Sequence, residues 1–217
     1  LTTSHANPQV ADSSGVFAPA YLSSSVSTYR QIVKTSADVT LSDDEVPVLV
    51  LSQTAVGTAL WPRTTLEQSA DVTPSSYAYP PFDIRRYGAV DDGNYSTGAG
   101  TDNAAAIQTA IDLCDVAGGD AVIIPPGIFK VTTQLTVPSG ISIIGAGKWS
   151  SILFCPAAFA NTGGLIRING SGGYPTKVTG LGVLAQTGGS GGSGVVSVKN
   201  GTFISDLWVN GFLSGVG

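Results

Sequence analysis

"TDNAAAIQTAIDLCDVAGGDAVIIPPGIFKVTTQLTVPSGISIIGAG", residues 101–147, changes its hydrophobic period half-way along. Ala104, Ile107, Ile111 and Cys114 recur at helical spacing, and Asp102 or Thr101 stands where a side-chain oxygen accepts from the free N–H groups of a first turn. Gly118-Gly119 supplies a left-handed stop. The pattern predicts a capping helix over about residues 103–116 with a single apolar stripe. From Ala121 the runs become strand-length: "AVII", "IFKV", "QLTV" and "ISII", cut by "PPG" and "PSG".

The same punctuation continues downstream through "SILF", "LIRI", "VTGLGVLA", "VVSV" and "FISDLWV". Leu181 and Val183 align with Leu207 and Val209 at a shift of 26 residues, and Ile166 and Ile168 align with Val196 and Val198 at a shift of 30. Short strands repeating at this interval indicate a solenoid, in which inward side chains stack from coil to coil. The first coil of such a stack leaves an open apolar end and unpaired backbone edges. An amphipathic helix laid across that end hides both, so Ile107, Ile111 and Cys114 are expected to face the first coil.

Composition narrows the class further. The chain has 217 residues, of which only 12% are charged and 28 are Gly, which fits an all-β fold with many tight turns. Residues 1–120 carry 14 acids and 5 bases, whereas residues 121–217 carry 5 bases and the single acid Asp206. With no Lys/Arg cluster interleaved with aromatics, nucleic-acid binding has no support. No apolar run reaches about 18 residues, so no membrane insertion is expected. Cys114 and Cys155 lack metal-site spacing and read as two buried thiols rather than a disulfide. A chain without Met that opens on Leu1 and stops at "GFLSGVG" is expected to be an internal piece of a longer polypeptide.

Three regions precede or contain the solenoid. Residues 1–57 read as a small β-rich module with runs "GVFAPAYL", "STYRQIV", "DVTL" and "VPVLVL", and with "SDDE" (Ser42 to Glu45) as a solvated turn. Residues 58–81 are Pro-rich and read as an extended, semi-rigid connector carrying Trp61, Tyr77 and Tyr79. Residues 82–217 begin the solenoid, with Arg85-Arg86 in its entering strand and ion pairs to acids such as Asp83 or Asp91 expected there.

"FDIRRYGAVDDG", "TDNAAAIQTAID", "AVIIPPGIFKV" and "LTVPSGISIIGAG", in this order, resemble the opening of pectate-lyase-like right-handed parallel β-helices over about residues 82–155. "DDGNYSTGAGTDN" departs from that pattern by its length. A second resemblance lies in front: "LTTSHANPQVADSSGVFAPAYL" followed by "STYRQIV" is similar to the virion-attaching segment of bacteriophage tail fibre and tailspike proteins, and "PRTTLEQSADVTPSSYAYPPFDIRRYGAV" resembles the linker that joins such anchors to a β-helix. Together they imply a right-handed parallel β-helix behind a β-rich anchor module, in a homotrimeric tailspike located in the virion. That protein attaches to other phage tail proteins through its N-terminal module and recognises, in many cases cleaves, bacterial surface polysaccharide. A secreted polysaccharide lyase or glycosidase of the same superfamily, and a non-catalytic tail fibre or adhesin, are the alternatives.

The residues themselves offer little catalytic chemistry. Hydrolysis of a glycan needs two carboxylates a few ångströms apart, and elimination needs a base together with cation-binding acids. After Asp120 only Asp206 remains, so the catalytic residues are expected beyond Gly217. Asp91-Asp92 lacks Ca²⁺-loop spacing, "GAGKWS" (Gly145 to Ser150) reads as a coil-to-coil turn, and His5 has no evident partner, so neither metal nor cofactor is expected. Trp149 and Trp208 are the residues to watch. A Trp in a strand run is more often core or interface, but Trp208 alternates with Leu207 and Val209 and so points outward if they point inward, as a trimer-contact or glycan-facing residue.

Overall fold

A computed structural model describes residues 28–34, 40–47, 53–157, 159, 163–169, 174–186, 193–198, 201–212 and 214–216. Residues 1–52 and 53–217 form two compact units. In the first, β1 (Thr28–Lys34) and β2 (Thr40–Pro47) pair antiparallel. "SDDE" is therefore part of a strand and not a turn, with Glu45 opposite Arg30 and Asp44 opposite Gln31. The ladder to β1 overrides the weak strand preference of Asp and Glu. His5 and most of the expected runs of residues 1–57 lie outside the described residues.

Among the described residues the parallel strands of the second unit form a four-stranded and a six-stranded sheet rather than a closed solenoid, and successive passes of the chain, or coils, fill them in three rows. The first coil contributes β3 (Ala121–Ile124), β4 (Gly127–Lys130) and β5 (Leu135–Val137); the second contributes β6 (Ser142–Gly145), β7 (Ser151–Cys155) and β8 (Ile166–Ile168). In the third, β9 (Thr176–Ala185) serves rows one and two and β10 (Ser193–Ser197) serves row three. β11 (Thr202–Asn210) and β12 (Ser214–Val216) follow as a fourth. Every pairing among them is parallel.

Leu181 pairs with Leu207 and Val183 with Val209, at the shift of 26 residues read from the sequence. The second alignment is corrected by one residue. Ile166 pairs with Val195 and Ile168 with Ser197, because Val195 is buried while Val198 is exposed, and a one-residue slip would turn the wrong face inward.

Inward side chains stack from row to row into one core: Val122, Ile143 and Val178 from row one, Phe129, Leu153 and Val183 from row two, and Leu135, Ile166 and Val195 from row three. At the open end lies α3 (Ala104–Val116), within a residue of the expected span, with Ile107, Ile111 and Cys114 all fully buried in that core. Gly118 and Gly119, at φ 93° and 90°, end it.

The backbone edges of the first coil are covered row by row. In row one, Ile123 N donates to Phe82 O at 3.0 Å. In row two, Gly93 N and Asn103 N donate to Ile128 O and Lys130 O at 2.9 and 2.8 Å. In row three, the amide of Gln108 on α3 takes the place of a neighbouring strand, accepting from Thr136 N at 2.9 Å and donating to Thr136 O at 3.0 Å.

The connector departs from its expected extended form. α1 (Gln53–Leu60) begins ahead of it, in the segment expected to be β-rich, and runs into its first residues, α2 (Thr65–Ser69) lies within it, and it belongs to the same compact unit as the parallel strands. Thr64 and Glu67 form a capping box, which "TTLE" announces in the sequence. Arg86 lies not in a strand but in the 3-10 turn Ile84–Tyr87, fully buried, and all five of its N–H groups are used. Nε and Nη2 grip Glu67 at 2.6 and 2.8 Å, Nη1 donates to Trp61 O and Tyr79 O, and Nη2 also donates to Pro62 O. Tyr87 donates its hydroxyl to the same carboxylate at 3.0 Å.

Two outcomes check this arrangement. Ile111→Asp puts an unpaired carboxylate against the open end of the core and should cost several kcal/mol, read as a collapse of the melting temperature; a melting point within about a degree of wild type removes the helix from its capping role. Burial pushes the Glu67 carboxyl up, but the Arg86 hydrogen bonds, the Thr64 N–H and the Arg86 charge outweigh it and hold the group below its ordinary 4.5. Its stabilising contribution is thus complete above about pH 4.5 and is lost as pH falls through the depressed folded value. Glu67→Gln should remove about 3–5 kcal/mol at neutral pH by stranding the guanidinium, and should flatten the acid limb of the stability profile; an unchanged acid limb contradicts the assignment.

Candidate functional site

The outward side of row two carries the surface of interest. Since inward and outward positions alternate along a strand, Leu207 and Val209 join the core while Trp208 lies on the opposite side of β11. There it packs against a second apolar cluster of Ile152, Phe154 and Leu184. The long loop "DDGNYSTGAGTDN" lies over the Phe154 side of this cluster. A Cβ on Gly93 would meet the Phe154 ring at 2.7 Å, and one on Gly98 would meet the Gln186 side chain at 2.3 Å. The extra length of this loop therefore covers outward apolar surface that a shorter one would leave wet.

At the other side of the cluster the third coil is bare. Gly180 and Gly182 stand between the second and fourth coils, and Gly182 pairs with Ile152 on one side and Trp208 on the other. Gly180 adopts φ 69°, and a Cβ there would meet Gly145 O at 2.5 Å. Asp206, one coil on, repeats the left-handed bend at φ 45°. Across these glycines two pairs reach from the turn after β6 to β11. The Trp149 and Trp208 rings lie 4.4 Å apart at 44°, and Lys148 Nζ stands 3.6 Å from Asp206 Oδ1. Trp149 is 65% exposed, a large apolar ring left in water.

The other residues singled out in the sequence hold structure. Asp102 accepts from Ala104 N and from the backbone and hydroxyl of Thr132. Burial pushes its carboxyl up, but these hydrogen bonds outweigh that and hold it below the ordinary value. The N-cap itself is Asn103, whose amide ties Val90, Thr101 and Lys130 together. Cys114 and Cys155 are free and buried, and burial pushes both thiols up to about 11, which leaves them inert. Asp83 pairs with Arg85 at 2.6 Å, as one of the expected partners, whereas Arg86 takes Glu67. Asp92 accepts from Thr101 N and Oγ1.

Among the described residues no group of three His, Cys, Asp or Glu could hold a metal ion. The residues that sequence reasoning missed are Glu67, Asn103 and Gln108, all structural. Only Glu67 had a local signal, the capping box.

The family model described as "rhamnogalacturonase A/epimerase, pectate lyase-like" matches residues 82–186. Mannuronan C5-epimerase AlgE3 of Azotobacter vinelandii is 30% identical over 142 residues, a match that covers 62% of this chain and 7% of that protein. The A-module of the Azotobacter vinelandii mannuronan C-5 epimerase AlgE6 is similar in structure, with a TM-score of 0.51 and 22% identity over 61% of this chain and 38% of the module, which shows a common fold. ORF18 of Geobacillus virus E2 is similar at a TM-score of 0.42 and 22% identity, covering 54% of this chain and 24% of that one, too weak a likeness to carry an argument. The chain spans less than a tenth of the length of the curated epimerases it matches.

Proposed function

We propose that this chain belongs to a polysaccharide-acting protein, and that the whole protein is a bacteriophage tailspike. In this reading residues 1–57 attach it to the phage tail, and a right-handed parallel β-helix beginning at residue 82 recognises and cleaves a bacterial surface glycan. Three chains assemble side by side. The observation that carries the polysaccharide reading is the pectate-lyase-like match over residues 82–186. The tail attachment is supported by the likeness of "LTTSHANPQVADSSGVFAPAYL" to virion-attaching segments. Cleavage needs carboxylates beyond those described, because hydrolysis takes two and Asp206 is the single acid between Asp120 and Gly217.

The aromatic residues of the connector bear on where another chain could pack. Tyr79 and Tyr77 of the connector lie under the guanidinium groups of Arg85 and Arg86, at 4.1 and 5.3 Å from the ring centroids, so these rings serve their own chain. Trp61, 41% exposed at the end of α1, is the connector aromatic left to meet another chain.

A second reading, a secreted enzyme that modifies a polyuronate, is favoured by the 30% identity to AlgE3, whose name states its action on mannuronan. Light scattering on the full-length protein, paired with glycan assays, separates the two. The tailspike reading expects three times the chain mass and release of fragments from a capsular polysaccharide. A monomer that converts mannuronan without shortening it overturns that reading in favour of the second.

A further inference from the structure

We propose that the outward corner formed by Trp149, Trp208, Lys148 and Asp206 binds an acidic polysaccharide, one uronate ring lying against the two indoles with its carboxylate on Lys148. The proposal rests on the polysaccharide-acting reading above and names a place and a ligand class for it.

The first ground is the aromatic pair. A pyranose presents a flat C–H face that is apolar and an edge of hydroxyls that stays in water, and an exposed indole matches the first without touching the second. Trp149 and Trp208, 4.4 Å apart and inclined at 44°, form an open notch rather than a closed stack. Trp208 is anchored from below by Ile152, Phe154 and Leu184, so the platform is stiff. Trp149 has no comparable burial, and its exposed face is what a ligand would cover.

The second ground is the bare third coil. Were Gly182 any other residue, its Cβ would press on Lys148 O at 2.8 Å and Ile152 Cγ1 at 3.1 Å. The two glycines thus keep the floor of the corner at backbone height and let the side chains of the second and fourth coils meet over it.

The third ground is charge. Lys148 and Asp206 are separated by 3.6 Å with side chains 40% and 51% exposed, a long, solvent-screened pair that holds little energy and yields to a competing carboxylate. Asp206 is the one acid among residues 121–217, so a ligand carboxylate that displaces it from Lys148 meets no other acid of these strands.

The test follows the indole fluorescence of the full-length protein as glycan is titrated in, with the Trp149→Ala variant as the control that shows which part of the signal depends on the pair. Polymannuronate and polygalacturonate are the acidic probes, with dextran as the neutral one. A saturable fluorescence change with the polyuronates, weakened by salt and absent with dextran, is expected. Trp149→Ala should lower affinity about tenfold with no change in melting temperature. Lys148→Gln should abolish the salt dependence and the preference for acidic over neutral glycan.

Undiminished binding by Trp149→Ala together with a lowered melting point would make the pair a brace between coils and overturn the proposal. So would saturation by dextran equal to that by polyuronate, or a loss of self-association on Trp149→Ala, which would assign the corner to a second copy. If the protein neither binds nor alters any glycan, the polysaccharide reading falls as well. If it binds or alters a polyuronate and Trp149→Ala is indifferent, this proposal alone fails.

Discussion

A stack of parallel strands has to begin, and at its beginning the hydrogen-bonding edge of every strand is open. Each unpaired N–H or C=O buried without a partner costs about 1–3 kcal/mol, and an open edge invites pairing with another chain. This chain meets the constraint separately in each row: backbone at Phe82, backbone at Gly93 and Asn103, and the side-chain amide of Gln108. The third solution is the least expected. A helix cannot offer its own backbone sideways, so Gln108 imitates a strand with one donor and one acceptor spaced like a peptide group.

The buried guanidinium of Arg86 holds the covering segments in place. Its partners come from Trp61, Pro62, Glu67 and Tyr79, so one side chain gathers the residues in front of the strands around the 3-10 turn that leads into them. Burying a charge is costly unless every hydrogen bond is made, and here all five are. The connector is for this reason part of the folded body. Its prolines set the path, while the ion pair sets the position.

Much of the fold was legible because it depends on periodicity. The change from the spacing of Ile107, Ile111 and Cys114 to short apolar runs announced a helix ahead of stacked strands, and the 26-residue repeat of Leu181 and Val183 gave the true register between β9 and β11. The 30-residue repeat was off by one because "VVSV" offers two adjacent valines, and only burial distinguishes Val195 from Val196. α1 was not legible, since "QTAVGTAL" has an interior glycine among the β-branched Thr54, Val56 and Thr58, so that tertiary contacts decide its form. Arg86 and Glu67 stand 19 residues apart, and no local pattern pairs them. At the candidate site, the outward direction of Trp208 followed from strand alternation. Its meeting with Trp149 did not, because it requires two glycines of an intervening coil to be aligned between them.

The outer face of row two brings these threads together. The loop over residues 91–103 shields one end of the apolar cluster, Trp208 shields the other, and the glycines between them leave a shallow corner whose aromatic and cationic groups face solvent. That corner has a stable shape only while the coils beneath it keep their register, and the register begins at the covered first coil. Native-state hydrogen exchange at the amide of Thr136 tests this dependence most directly. In the wild type it should exchange only with global unfolding; in Gln108→Ala it should become locally exchangeable while the amides of Val178 and Val183 stay protected. A Thr136 amide that exchanges freely in the wild type, or stays fully protected without Gln108, would contradict a covered first edge.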